Sequence, residues 1–167
     1  ITAALNCTPA KRRRVYVGYS DEDAQKILAV IDRESIKGKR DFAMVMLAYS
    51  TGLRSCDILN LKFENIDWRT HEIRLIQEKT NVPLALPLDA ATGNAIAEYI
   101  LNGRPECDSE YVFIRTQHPY TRMLSFWQIV AEYARRALGT SRKMNGPHAF
   151  RRGMGRRLLE AGVPSPM

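Results

Sequence analysis

The sequence predicts an α+β fold that is mainly helical and contains a small antiparallel sheet of three strands. Over most of the chain, apolar residues recur at the spacing of three to four that buries one face of a helix. Residues 72–88 instead alternate or contain prolines, which is typical of a β-hairpin. With 167 residues, 45% of them hydrophobic, the chain is large enough to fold as one domain around its own core.

Three helices are predicted before the hairpin. Ser20 can cap the first, because a serine hydroxyl accepts hydrogen bonds from the backbone N–H groups of a first turn. The second is predicted from about Arg40 to Tyr49, where apolar residues form a stripe, and Gly52 then ends it. Ser55 can cap a short third helix that runs through Leu59.

The hairpin itself is predicted to turn at residues 78–81, with Lys79 at its tip. Two prolines in its second half exclude a helix there, since proline has no N–H to donate. The run Tyr111–Ile114 also reads as a strand and is expected to join the hairpin as the third strand.

Three further helices are predicted after the hairpin. One covers residues 89–101 and is capped by Asp89; the next is capped by Thr121. The last has Pro147 in its first turn, a favourable position for proline, and extends to Gly162. The residues of the second of these helices that are expected to face inwards are Phe126, Trp127, Val130 and Ala134.

Positive charge is concentrated towards the C-terminus and in one short N-terminal run. The net charge is +7 and the isoelectric point is near 9.5. Residues 122–157 hold nine arginines and lysines against a single acidic residue. This asymmetry favours a polyanionic partner, either nucleic acid or an anionic membrane surface, although a solvated face that aids solubility would have the same composition. The excess of arginine over lysine favours phosphate, because the guanidinium can bind phosphate through two parallel hydrogen bonds.

Several classes of protein are disfavoured. The three cysteines are widely spaced and form no Cys-x-x-Cys pair, so neither a disulfide framework nor a zinc site is indicated. No apolar run approaches the roughly 18–20 residues of a membrane span, and residues 1–19 lack the apolar segment of a secretory signal. We therefore expect a cytoplasmic protein without a membrane partner. Because the chain starts with isoleucine and stops at Pro-Ser-Pro-Met, we also expect it to be a fragment.

Four short elements have residue types suited to a phosphate. Arg54 directly follows a glycine that ends a predicted helix, and Asp57 lies three residues later. Lys79 lies at the hairpin tip, and His148 and Arg151 are one turn apart on the last predicted helix, so they share a face. Each element alone is weak: such residues are more often surface or capping groups than catalytic ones.

Together and in this order, these elements resemble the tyrosine recombinase, or phage integrase, family over residues 20–167. The stretch 49–61, Tyr-Ser-Thr-Gly-Leu-Arg-Ser-Cys-Asp-Ile-Leu-Asn-Leu, is similar to the first-arginine motif of the family. Gln-Glu-Lys-Thr at 77–80, followed by Val-Pro-Leu-Ala-Leu-Pro-Leu at 82–88, is similar to its hairpin lysine motif. Pro-His-Ala-Phe-Arg-Arg at 147–152 resembles its His-x-x-Arg helix. Residues 20–167 are then the catalytic domain, and 1–19 a basic arm or linker.

The resemblance implies a site-specific DNA strand-transfer enzyme that needs no metal or cofactor. A tyrosine hydroxyl would attack a DNA phosphodiester, form a 3′-phosphotyrosyl link and release a 5′-hydroxyl. Arg54 and Arg151 would stabilise the charge on the phosphorane oxygens, and Lys79 would protonate the leaving 5′ oxygen. His148 would bind phosphate or act as acid or base, and Asp57 would hold Arg54 or His148 in place.

The implied partners are double-stranded DNA and other recombinase protomers in a synaptic complex. The residues expected to contact DNA are Lys11, Arg12, Arg13, Arg14, Arg122, Arg142, Lys143 and Arg152.

The chain also departs from the family pattern. In the family, a second His or Trp lies about two dozen residues after the second arginine. The tyrosine nucleophile lies about nine residues beyond that His or Trp. Here sixteen residues follow Arg151. Both positions are therefore expected beyond residue 167, and the chain is expected to bind DNA without cleaving it. Core or surface roles are predicted for four tyrosines that all precede His148, namely Tyr99, Tyr111, Tyr120 and Tyr133.

Three other functions remain open at this point. A non-catalytic DNA-binding module derived from an integrase would explain the charge equally well. A type IB topoisomerase would use the same chemistry to relax DNA. A helix-turn-helix regulator is a weaker candidate, because it leaves Lys79 and the pair His148 and Arg151 without a role.

Overall fold

The computed structural model describes residues 17–139 and 146–163. Over these residues the chain forms helices and three short strands, and a single 3₁₀ turn, Phe63–Asn65, precedes the first strand. The bounds are α1 Asp21–Ala29, α2 Ile36–Thr51, α3 Ser55–Leu59, β1 Ile66–Asp67, β2 Glu72–Ile76, β3 Pro83–Pro87, α4 Ala90–Asn102, α5 Trp127–Leu138 and α6 His148–Glu160. The mainly helical α+β class with a three-stranded antiparallel sheet is confirmed.

The helix starts follow from local capping. Ser20 caps α1 by accepting a hydrogen bond from the Asp23 N–H at 3.1 Å, and the Asp23 carboxylate accepts one from Ser20 N–H at 3.2 Å. Asp89 caps α4 in the same way. The start of α2 lies four residues before the predicted one, because the Ser35 hydroxyl accepts a hydrogen bond from the Gly38 N–H at 3.0 Å.

The prediction of the third strand was wrong. β2 pairs with β3 as expected, but on its other edge it pairs with Ile66–Asp67. The Asp67 carboxylate accepts hydrogen bonds from two N–H groups, those of Arg69 and Thr70, which closes a tight turn before β2. The run Tyr111–Ile114 forms only isolated bridges.

The start of α5 also differs from the prediction. Thr121 does not cap it, because Arg122 pairs with Ile114 in a β-bridge and the helix begins only at Trp127. Trp127 does not face inwards as expected: half of its surface is exposed, and the indole lies directly against Gly146. The other three residues expected inside, Phe126, Val130 and Ala134, are buried.

Helix α2 lies at the centre of the fold. It packs against α1, α3, α4 and α6, and α1 packs against α5. Met44, Leu47, Ile96 and Tyr99 are among the fully buried side chains of this core. The C-terminal end of α2 therefore meets both α3 and α6, and this junction is where the predicted catalytic arginines lie. No helix in the described ranges is long and apolar enough to cross a membrane.

Candidate active site

Arg54 lies in a tight connection between α2 and α3. Gly52 ends α2 with a φ of 63°, a left-handed conformation that favours glycine. The Thr51 hydroxyl donates to the Leu47 carbonyl at 2.6 Å and accepts from the Leu53 N–H at 3.2 Å, which fixes the connection from both sides. Arg54 follows as the residue before α3, and its side chain is half-buried.

One nitrogen of the Arg54 guanidinium is buried without a hydrogen-bond partner. This Nη1 atom is shielded from solvent by the protein, yet no described group accepts its protons. Leaving a buried donor unpaired costs about 1–3 kcal/mol, and more for a charged group. Because native structures contain few such groups, this donor indicates a site that is adapted to an anion rather than to the fold alone.

Arg151 reaches the same connection from α6. Its Nη1 donates to the Gly52 carbonyl at 2.9 Å, two residues before Arg54 in the chain. The contact between the elements is close: a Cβ added to Gly52 would lie 3.1 Å from the Met154 side chain and 3.7 Å from the Arg151 Cα. Arg151 is thus held against the turn at Gly52, and Arg54 follows that turn by two residues.

His148 begins α6, one helical turn before Arg151 and on the same face. Its side chain is exposed. The first N–H groups of a helix have no partners within the helix and carry a partial positive charge, which favours an anion next to His148.

The segment before α1 holds α6 in position. The Tyr19 N–H donates to the Ala149 carbonyl at 3.1 Å, and a Cβ added to Gly153 would lie 2.4 Å from the Tyr19 carbonyl oxygen. A turn further along α6, the Arg157 guanidinium donates to the Asp21 carboxylate at 2.7 Å and lies over the Tyr49 ring at 4.3 Å. The helix that carries His148 and Arg151 is therefore clamped at both ends of its described length.

Asp57 connects α3 to the hairpin. Its carboxylate is buried, and Oδ1 accepts a hydrogen bond from the Glu78 N–H at 3.1 Å. The thiol of Cys56 lies 3.9 Å from the same oxygen, whereas Oδ2 is buried without a partner. Among the described contacts, Asp57 therefore holds the hairpin, and no hydrogen bond joins it to Arg54 or His148.

Lys79 follows Glu78 at the tip of the hairpin. Its side chain is exposed, and the part of the chain that the structure describes offers it neither a hydrogen bond nor an ion pair. Because Asp57 is three residues from Arg54, the bond to Glu78 ties the Lys79 turn to the helix that Arg54 precedes. The structure thus shows Arg151 bonded to the turn before Arg54, and the residue before Lys79 bonded to α3 through Asp57.

Comparison with known proteins identifies the family of the chain. A family model described as the phage integrase family matches residues 19–167. The chain belongs to the phage integrase family. A putative integrase/recombinase of Sinorhizobium fredii (strain NBRC 101917 / NGR234), y4gC, is 37% identical over 144 residues, which cover 86% of this chain and 75% of that protein.

Two further similarities place the chain among recombinases. The tyrosine recombinase XerA of Pyrococcus furiosus is 29% identical over 147 residues, covering 86% of this chain and 48% of XerA. The structure of the Tn1549 transposon integrase in complex with transposon right end DNA shares the fold, with a TM-score of 0.73 at 15% identity, over 92% of this chain and 56% of that one. The chain thus spans about half the length of these two proteins.

The predicted DNA contacts of this integrase-family domain fall into two groups. Lys11, Arg12, Arg13, Arg14, Arg142 and Lys143 lie outside the described residues. Arg152 is half-buried on α6, and Arg122 is half-buried beside the hairpin. The Arg122 guanidinium donates to the Asn60 carboxamide and lies over the Tyr111 ring at 5.6 Å. The predicted DNA contacts therefore remain predictions.

Sequence reasoning missed Asn60 and Glu78. The Asn60 side chain lies at the end of α3 and donates to the Glu78 carboxylate. The only signal in the sequence was a polar residue between Leu59 and Leu61, both of which are buried. That pattern marks an outward position on a short helix but does not name its partner.

Two other chemistries can be compared with the site. Within the described residues, no cluster of three or more His, Cys, Asp or Glu side chains could hold a metal ion. Cys56 lies two residues after Arg54, but burial raises the pKa of its thiol, and the Asp57 carboxylate raises it further. The thiol therefore stays protonated at neutral pH and is a poor nucleophile.

Proposed function

We propose that this chain is the phosphate-activating part of a site-specific DNA recombinase or integrase. The observation that carries the proposal is at the turn between α2 and α3: Arg151 donates to the Gly52 carbonyl, and Arg54, two residues later, has a buried Nη1 without a partner. Preorganised, partly desolvated donors of this kind stabilise charge that develops on a phosphoryl group.

Arg54 and Arg151 bind the non-bridging oxygens of the scissile phosphate. As the nucleophile attacks, negative charge accumulates on these oxygens. Two guanidiniums that are already in position stabilise this charge without a free-energy cost of reorganisation. Loss of one such donor typically costs about 10²–10³ in rate. The N-terminus of α6, with His148, adds further positive potential on the same side.

The bond changes follow from these roles. A tyrosine oxygen forms the new bond to phosphorus, and the bond from phosphorus to the 5′ oxygen breaks. The ammonium of Lys79 gives its proton to that oxygen, and the tyrosine proton goes to His148 or to water. Three of the described tyrosines have other surroundings: Tyr99 and Tyr133 are buried in the core, and the Tyr49 hydroxyl donates to the Asp21 carboxylate. As the family pattern implies, the nucleophile is expected from another segment.

The proposed partner is double-stranded DNA. The net charge of +7 and the run of arginines towards the C-terminus support it, and the structurally similar Tn1549 integrase is bound to its transposon end. Other protomers complete a synaptic complex in this proposal, and a DNA-associated, cytoplasmic location follows from it.

The proposal is tested by binding of the 167-residue chain to a DNA duplex across a salt series. We expect the logarithm of affinity to fall linearly with the logarithm of salt, with a slope of about −0.9 per phosphate neutralised. Replacing Arg54 or Arg151 by Ala should weaken binding, whereas Arg33→Ala, an equal loss of charge at an exposed arginine that lies over the Phe42 ring, should have little effect. An affinity for DNA that does not change with salt concentration would contradict the proposal.

Cleavage is tested with a nicked suicide substrate. The 167-residue chain should form no covalent adduct, and the gene product that carries this chain together with the nucleophile should form one. If only binding is found with that gene product, a non-catalytic DNA-binding module is the better description.

A further inference from the structure

The turn that carries Lys79 is closed by bonds among its own residues. The Gln77 N–H donates to the Val82 carbonyl at 2.9 Å, and the Asn81 N–H donates to the Gln77 carbonyl at 2.8 Å. The Thr80 hydroxyl donates to the Gln77 side chain at 2.9 Å. These bonds shape the turn but leave its orientation relative to the arginines undetermined.

Glu78 joins this turn to the body of the domain. Its N–H donates to Asp57, and its carboxylate accepts a hydrogen bond from the Asn60 side chain. Asp57 lies in α3 and Asn60 lies at its end. Glu78 is therefore held to this helix both through its backbone N–H and through its carboxylate. The side-chain oxygen of Asn60, Oδ1, in turn accepts a hydrogen bond from the guanidinium of Arg122. Both the nitrogen and the oxygen of the Asn60 carboxamide therefore take part in hydrogen bonds.

Lys79 has no comparable support of its own. Its exposed ammonium makes no described contact, so the place from which the side chain extends is set by the preceding residue. We propose that Asn60 and Glu78 are positioning residues for Lys79, acting by holding the hairpin turn against α3. This inference rests on the proposed role of Lys79 as the general acid.

The size of the expected effect follows from what a general acid requires. The proton donor must lie within hydrogen-bond reach of the leaving oxygen, about 2.6–3.2 Å. A displacement of about 1 Å caused by a distant change can cost about 10²-fold in rate. Release of Glu78 would let the turn move as a unit while leaving Arg54 and Arg151 in place.

The chain offers a matched control for each substitution. On α4, the Asn102 side chain donates to the Glu98 carboxylate at 2.8 Å, so the same pair of side chains occurs away from the site. Asn60→Ala is compared with Asn102→Ala, and Glu78→Ala with Glu98→Ala, which also loses the ion pair of Glu98 with Lys39. The first readout is amide hydrogen exchange of residues 77–81 in the 167-residue chain. We expect these amides to exchange at least about 10-fold faster in the Asn60 variant. In the Asn102 variant their exchange rate should equal that of the unsubstituted protein.

The second readout uses the gene product that carries the nucleophile and two DNA substrates. One has the normal phosphodiester, and the other has sulfur in place of the 5′ bridging oxygen. A thiolate leaves without protonation, because thiols have a pKa near about 8.5 and alcohols a far higher one. We expect Asn60→Ala and Glu78→Ala to cleave normal DNA about 10- to 100-fold more slowly. On the sulfur substrate they should match the unsubstituted protein within about 3-fold.

The outcomes separate this inference from the proposed function. If Lys79→Ala is as active as the unsubstituted protein on normal DNA, the general-acid role itself is wrong. If Lys79→Ala is slow and is rescued by sulfur, but Asn60→Ala behaves like Asn102→Ala, only the positioning role is overturned. A defect of Asn60→Ala that is equal on both substrates would also overturn the positioning role, because the substitution would then act on a step other than proton transfer. Unchanged hydrogen exchange in the turn would overturn it as well, because Asn60 would then not hold the turn.

Discussion

Two buried aspartates in this chain have opposite surroundings. Asp41 is fully buried, and both of its oxygens are saturated: Oδ1 accepts from the Arg40 guanidinium at 2.9 and 2.7 Å, and Oδ2 accepts from the Tyr133 hydroxyl at 3.0 Å and lies 3.1 Å from the Lys37 ammonium. Asp57 is almost as buried, yet its Oδ2 has no partner.

The arginines beside them differ in the same way. Arg40 also donates to the Ile114 carbonyl at 3.3 Å, whereas Arg54 keeps a buried nitrogen unpaired. Burial alone would lower the pKa of Lys37, but the Asp41 carboxylate outweighs it and raises the pKa. The cluster around Asp41 is thus completed by the protein itself. The cluster around Arg54 and Asp57 is incomplete, and this difference distinguishes a group that holds the fold from one that is available to a ligand.

The largest effect is expected at Asp41. Asp41→Ala leaves Arg40 as a buried charge without its partner, which typically costs about 3–5 kcal/mol of unfolding free energy. Urea denaturation followed by circular dichroism measures this difference. Asp57→Ala is the matched variant at the other buried aspartate, and because fewer bonds are lost it should cost about 1–3 kcal/mol. Equal losses at the two positions would remove the contrast between the clusters.

The next effect concerns rate rather than stability. Arg54→Ala should lower DNA cleavage by the nucleophile-containing gene product by at least about 10²-fold, because a fixed donor to the phosphoryl oxygens is lost. Its unfolding free energy should not fall by more than about 1 kcal/mol, since no hydrogen bond of the buried Nη1 is broken and the cost of burying that nitrogen unpaired is removed. Single-turnover cleavage and urea denaturation are measured on the same preparation. A variant with unchanged cleavage would remove Arg54 from the site.

A smaller effect separates the two glycines of α6. A Cβ added to Gly153 would lie 2.4 Å from the Tyr19 carbonyl oxygen, so Gly153→Ala must push the segment before α1 away and should destabilise by about 1–3 kcal/mol. Gly155 has open space at the same point. Gly155→Ala should therefore stabilise α6 by about 0.5–1 kcal/mol. Thermal unfolding of both variants checks the pair, and the same sign for both would show that Tyr19 does not clamp α6.

The sequence predicted those parts of the fold that depend on local chemistry. Caps and stops such as Ser20, Asp89 and Gly52 act within one turn, so they can be read from neighbouring residues. The third strand could not be read in this way, because two residues, Ile66 and Asp67, suffice once a tight turn returns the chain. A segment that short carries no alternating pattern.

The candidate site shows the same division. The residue types came from motif resemblance, but the contact between Arg151 and the Gly52 carbonyl joins positions 99 apart in the chain. The bond from Asn60 to Glu78 spans 18 positions. Neither separation leaves a periodic signal, so only the packing of α6 and the hairpin against α3 reveals these contacts. The catalytic roles of Arg54, Lys79, His148 and Arg151 remain predictions.

The smallest expected effect is at an exposed ion pair, which sharpens the contrast with the buried Asp41. The hydrogen bond from Arg157 lowers the pKa of Asp21, with help from the Tyr49 hydroxyl. A carboxyl whose pKa is lower in the folded state stabilises the fold above its unfolded value of about 3.9 and loses that contribution as the pH falls through the folded value. Because Asp21 is mostly exposed, solvent screens the pair, and Asp21→Asn should cost less than about 1 kcal/mol at pH 7.

Urea denaturation at pH 7 and near pH 2.5 should show this small difference only at the higher pH. Glu22→Gln, at a neighbouring exposed carboxylate paired with Lys26, is the control and should show a still smaller change. A loss on Asp21→Asn that is equal at both pH values would mean that the carboxylate charge contributes nothing to the clamp on α6.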